Sequence, residues 1–95
     1  MAQIIQQANT WQLSGNLVFA NISSVLDESK LLTMPAQLQL DFAAVEEVDT
    51  SAISLILELQ RRAISQDTKI SVQQVPENLS SLMLLYGVDA FILNH

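Results

Sequence analysis

Ninety-five residues with a 49% hydrophobic fraction, two glycines and two prolines suit one compact domain, expected to span 1–95. Four basic residues against ten acidic ones give a net charge of −6, and Lys30, Arg61, Arg62 and Lys69 form no stripe, so nucleic acid and anionic lipid headgroups are expected to be repelled. The absence of cysteine excludes disulfides and thiolate metal sites, while no signal-peptide pattern and no run near the roughly 18 apolar residues of a membrane span point to a cytoplasmic protein without membrane insertion.

Two short strands are expected first, one holding Ile4 and Ile5 and one holding Trp11 and Leu13, joined near Ala8-Asn9-Thr10. Ser14-Gly15-Asn16 reads as a turn. A helix over about Asn21 to Leu32 follows from the spacing of Ile22, Val25, Leu26 and Leu32, with Asn21 or Ser23 as its cap. Leu31 lies opposite that stripe and is expected to be exposed, and Pro35 ends the element.

The alternation of Leu38, Leu40 and Phe42 with Gln39 and Asp41 predicts a strand over Gln37 to Phe42, and Ala43 to Val48 reads as a connection. The longest helix is expected from Asp49 or Thr50 to about Gln66, with Glu58 placed to pair with Arg62. Its apolar residues cover an arc of about 200°, roughly twice what packing on a sheet requires. Ile53, Leu57 and Ile64 are the surplus, covered by flanking helices or else part of a protein-binding patch. Lys69 to Gln73 is a further strand with Ile70 and Val72 inward. Pro76 and Glu77 open a last helix through about Tyr86, with Leu79, Leu82 and Met83 on one face and Gly87 as its stop. Val88 to Leu93 is expected to pack as a tail. Strands separated by helices imply parallel pairing and right-handed crossovers. The expected fold class is therefore α/β, with a single mixed, mostly parallel sheet and helices mainly on one face.

Catalytic chemistry is poorly served by these residues. His95, the final residue, is the single histidine, so neither a Ser-His-Asp nor a Cys-His site can be assembled. Glu46, Glu47 and Asp49 lack calcium-loop spacing and read as a solvated acidic stretch, and Gly15 and Gly87 are too isolated for a phosphate loop. No catalytic residue, cofactor or metal is expected. Asp49-Thr50-Ser51 stands out at the mouth of the long helix. Capping of orphan N–H groups accounts for these residue types. The alternative is a displayed hydroxyl where the helix end favours a phosphoryl group, whose added charge beside Glu46, Glu47 and Asp49 would alter how the surface meets a partner.

The segment Leu40-Asp41-Phe42-Ala43-Ala44-Val45-Glu46-Glu47-Val48-Asp49-Thr50-Ser51-Ala52 resembles the signature of STAS domains, the family shared by anti-sigma factor antagonists and sulfate transporter tails. The stretch from Val75-Pro76-Glu77-Asn78-Leu79 through Leu85-Tyr86-Gly87-Val88-Asp89 is similar to the MlaB-type branch, whose members are STAS subunits of a bacterial phospholipid-transport ABC complex. The resemblance implies a STAS fold and a non-catalytic subunit that binds and stabilises or regulates a cytoplasmic ABC-transporter ATPase, peripheral to the inner membrane through that partner, in a system that maintains outer-membrane lipid asymmetry. It places the contact at Asp49, Thr50 and Ser51, joined by Ile53 and Leu57 on the exposed side of the helix. The alternative it carries is an anti-sigma factor antagonist that meets an anti-sigma factor kinase and is switched by phosphorylation at Thr50 or Ser51. Ala52 stands where the family usually has glycine, a departure that touches kinase recognition more than the fold.

Overall fold

The computed structural model describes residues 2–87. The expected tail over Val88 to Leu93, and His95, lie outside the described residues. Strands β1 (Gln3–Gln7) and β2 (Thr10–Leu17) form an antiparallel hairpin, after which α1 (Phe19–Lys30), β3 (Gln37–Val48), α2 (Thr50–Ser65), β4 (Lys69–Gln73) and α3 (Glu77–Leu85) follow in turn. The sheet order is β1-β2-β3-β4, with β2, β3 and β4 parallel. A mixed sheet of this kind follows from the sequence order, because a two-residue turn reverses the chain whereas a parallel neighbour needs a helical crossover.

The core forms on one face of that sheet. Ile4, Trp11, Leu13, Leu17, Leu38, Leu40, Phe42 and Val72 are buried from the strands, and they meet Val25, Ala52, Ile53, Leu55, Ile56, Leu59, Ala63, Leu79 and Met83 from the helices. Alternate strand residues, among them Gln3, Ile5, Gln37, Gln39, Lys69 and Gln73, point to an open face and are exposed. Period-two alternation therefore sorts buried from open-face residues in β2, in the first half of β3 and in β4, while β1 leaves Ile5 on the open face.

Two expected boundaries move. Ser14-Gly15-Asn16 is no turn: β2 runs through it, and Gly15 takes a left-handed backbone (φ 84) between shifts of register at Gln12/Ser14 and Gly15/Asn16. The glycine absorbs a bulge, so the strand keeps its buried face through Leu17. Ala43 to Val48 is likewise not a connection but the second half of β3, where Ala44, Val45 and Val48 pair with Ser14, Gly15 and Leu17. The bulges break strict alternation there, which hides the strand from a period-two reading.

Helix α1 starts at Phe19, two residues before Asn21, and neither expected cap serves it. Val18 occupies the N-cap position without a side-chain bond, the Asn21 amide donates to the Asn16 carbonyl at 3.1 Å, and Ser23 is exposed. The expected Glu58–Arg62 pair is also replaced. Glu58 pairs with Arg61 one turn away, while Arg62 reaches across to α1 and donates to the carbonyls of Ser29 (3.0 Å) and Leu32 (3.2 Å). The planar guanidinium spans both carbonyls, that of Ser29, which also accepts the Leu32 N–H, and that of Leu32, just past the end of α1. Leu31 is exposed, and Gly87 (φ 70) follows α3, as expected.

Candidate functional site

The parallel strands β2 and β3 end side by side, with Leu17 opposite Val48. Each leads directly into a helix, so the N-termini of α1 and α2 converge at one end of the sheet. Asp49 joins them. Its backbone N–H donates to the Leu17 carbonyl at 3.3 Å, and its extended conformation (φ −137, ψ −166) is that of an N-cap. One carboxylate oxygen, Oδ1, accepts the Ser51 N–H at 2.8 Å; the other, Oδ2, accepts the Phe19 N–H at 3.0 Å. A single carboxylate thus serves the first turns of both helices.

These bonds favour the charged form. The Phe19 N–H holds the Asp49 carboxyl below its ordinary value of 3.8, the Ser51 amide and hydroxyl act in the same direction, and partial burial opposes them. Asp49 stays ionised at neutral pH beside the exposed Glu46 and Glu47 at the end of β3, so this end of the molecule is acidic.

Thr50 is exposed at the first position of α2, whereas Ser51 is half-buried and its backbone N–H is held by Asp49. Of the two residues expected to be modified, Thr50 is the more exposed. Ala52, where the family usually has glycine, is fully buried, and its N–H closes on the Asp49 carbonyl at 3.0 Å.

The surplus apolar residues of α2 divide. Leu57 is 41% exposed and Ile64 is also exposed, but Ile53 is only 6% exposed and belongs to the core. Thr50, Ile53, Ser54 and Tyr86 line a shallow hollow of about 300 Å³, so Ile53 supplies part of its wall rather than a protruding contact. Three residues that sequence reasoning did not single out complete this end: Ser54, one turn beyond Thr50; Tyr86, 54% exposed; and Phe19, 83% exposed. Helical spacing from Thr50 gives Ser54 directly. Nothing local marks Phe19, whose neighbours come from a chain segment 30 residues away.

A second hollow, of about 490 Å³, lies by the opposite ends of β3 and β4 and is lined by Asn9, Gln37, Gln39, Gln60 and Lys69 among others. Among the described residues no group of three His, Cys, Asp or Glu side chains is placed to hold a metal ion.

An antiparallel hairpin leading into a parallel α/β sheet covered on one face, with a hydroxyl-bearing helix mouth at the end of β3, defines a STAS-type fold. The fold is shared with a sulfate transporter family protein from Wolinella succinogenes at a TM-score of 0.71 and 14% identity, over 92% of this chain and 76% of that one. It is also shared with the anti-sigma factor antagonist SpoIIAA in its unphosphorylated form at a TM-score of 0.55 and 14% identity, over 90% of this chain and 83% of that one. None of the curated protein sequences matches the chain. Residues 2–94 match the MlaB-type STAS domain family, and the chain belongs to that family.

Proposed function

We propose that this protein is a non-catalytic interaction subunit that docks through the mouth of α2 onto the cytoplasmic ATPase of a phospholipid-transporting ABC complex. Membership of the MlaB-type family supports this reading. The observation that carries it is the exposure of Thr50 on a helix mouth fixed by Asp49, flanked by the exposed apolar side chains of Phe19, Leu57 and Tyr86. An exposed patch with aromatic side chains beside a backbone already fixed by Asp49 suits protein recognition. The subunit would sit in the cytoplasm, peripheral to the inner membrane through its partner.

The second reading, an anti-sigma factor antagonist switched by phosphorylation, is favoured by the same exposed Thr50 hydroxyl. Phosphorylation there would add close to two negative charges to an already acidic end. The test is pull-down from the native host with wild-type protein, Thr50→Ala and Thr50→Glu. The first reading expects an ABC ATPase to be recovered by wild type and lost with Thr50→Glu. Recovery of a kinase-like anti-sigma factor without any ATPase would reject it in favour of the second.

A further inference from the structure

Strand β1 lies at one edge of the sheet, and its residues Gln3-Ile4-Ile5-Gln6-Gln7 carry no charge, whereas β4 at the other edge carries Lys69. The hairpin register fixes which groups face outward. The two-residue connection Ala8-Asn9, with Ala8 left-handed (φ 54), makes Gln7 and Thr10 the closing hydrogen-bonded pair. Gln3, Ile5 and Gln7 therefore aim their N–H and C=O groups at β2, and Ile4 and Gln6 aim theirs away from the sheet.

That outward row is not left open along its length. Glu28, projecting from α1, accepts the Ile4 N–H on its carboxylate. The Gln6 backbone N–H has no hydrogen-bond partner among the described residues. On the open face beside them Ile5 is 46% exposed, a large aliphatic side chain at the rim of the sheet.

We propose that the outer edge of β1 is a strand-pairing surface for a second copy of this chain, and that Glu28 keeps it closed. The edge is self-complementary over its whole length in one register. Pairing that leaves both cores on the same side must set residues of the same parity opposite each other, and a two-fold axis at Ile5 uses all five residues of β1. Ile4 then exchanges N–H···O bonds with Gln6 of the other copy, Gln3 lies opposite Gln7, and the two Ile5 side chains meet across a close pair with Cα atoms about 4.5 Å apart. Four strands from each copy would form one continuous sheet. Glu28 opposes this twice. Its carboxylate holds the Ile4 donor that the pairing needs, and each copy would bring an acidic side chain to the same seam. A charge laid over an uncharged edge is a known way to prevent edge-to-edge association.

The test combines amide exchange on wild type with light-scattering mass measurement on variants. In the wild-type monomer the Ile4 amide is expected to exchange about ten-fold or more slowly than the Gln6 amide, although both point outward. Glu28→Ala is expected to double the apparent mass at high protein concentration. Glu28→Ala combined with Ile5→Lys is expected to return it to that of one chain, because two like charges would then face each other at the axis. Equal exchange at Ile4 and Gln6 would overturn the closure by Glu28, even if Glu28→Ala proved unable to fold. A folded Glu28→Ala that stays monomeric would overturn the pairing surface, and a double variant that stays dimeric would overturn the Ile5-centred register.

Discussion

Asp49 holds the first amide of α1, at Phe19, on the same carboxylate that caps its own helix through Ser51. Two helices separated by the whole of β3 therefore share one capping carboxylate, which ties the Phe19 end of α1 to the mouth of α2 beside the pairing of Leu17 with Val48. Replacing Asp49 by alanine is expected to cost about 1–2 kcal/mol of stability by urea unfolding at pH 7, since two orphan amides lose their acceptor. The Phe19 amide is expected to exchange faster in the variant. Unchanged exchange at Phe19 would show that the shared cap is not formed in solution.

The same carboxylate gives a signed pH effect. Its native pKa is depressed, chiefly by the Phe19 N–H, so the unfolded chain takes up the proton first as pH falls. The stabilisation is complete above the ordinary value of 3.8 and is lost as pH drops through the lower native value. Asp49→Asn removes this dependence. Unfolding curves of wild type and Asp49→Asn are expected to differ most at neutral pH and to converge in acid.

Arg62 and Arg61 are adjacent but unequal. The Arg62 guanidinium bridges two carbonyls at the end of α1, and Arg62→Ala is expected to cost about 1–2 kcal/mol, with Arg62→Lys recovering only part because a single ammonium does not reproduce the fork. Arg61, itself exposed, pairs with Glu58 at the surface, and Arg61→Ala is expected to leave the unfolding midpoint nearly unchanged. Equal midpoints for all three variants would contradict the assignment of Arg62 to α1.

Along α2, stability and recognition separate by exposure. Ile53→Ala is expected to destabilise by about 2–4 kcal/mol, as a core truncation does. Leu57→Ala is expected to leave stability within about 0.5 kcal/mol and to weaken partner binding several-fold. Calorimetric titration of the ATPase proposed as partner with both variants checks this, and a Leu57→Ala protein that binds as wild type does would remove Leu57 from the proposed contact.

Gly15 offers a fifth, purely structural test. Its left-handed backbone and buried place in the β2 bulge make Gly15→Ala unfavourable by about 1 kcal/mol or more, read as a lower denaturant midpoint.

What could be read from the residues depended on how local the cause was. Leu38, Leu40 and Phe42 alternate cleanly, so the first half of β3 was plain, whereas its second half owes its strand state to bulged pairing with Ser14 to Leu17 and carries no period of its own. The helical stripes of α1 and α2 announced both elements, and Asp49-Thr50-Ser51 announced the mouth of α2. The start of α1 could not be read, because its capping group arrives from the far side of β3. For the same reason Arg62 was assigned to the nearest acid in sequence instead of to the carbonyls it meets in space. Exposure on α2 was legible as an excess of apolar arc, but which of Ile53, Leu57 and Ile64 stays uncovered is decided by the packing of other elements.

The hairpin at the start of the chain sets an order of events in folding. β1 and β2 are joined by a two-residue connection and can zip within microseconds, whereas each parallel neighbour must wait for a helix to form and swing across. The hairpin tip then offers the Asn9 carbonyl to the Gln39 N–H at 2.8 Å, a landing point for the incoming β3. Shortening the chain ahead of Thr10 would remove this early template, and most of the stability lost is expected to appear as slower refolding rather than as faster unfolding.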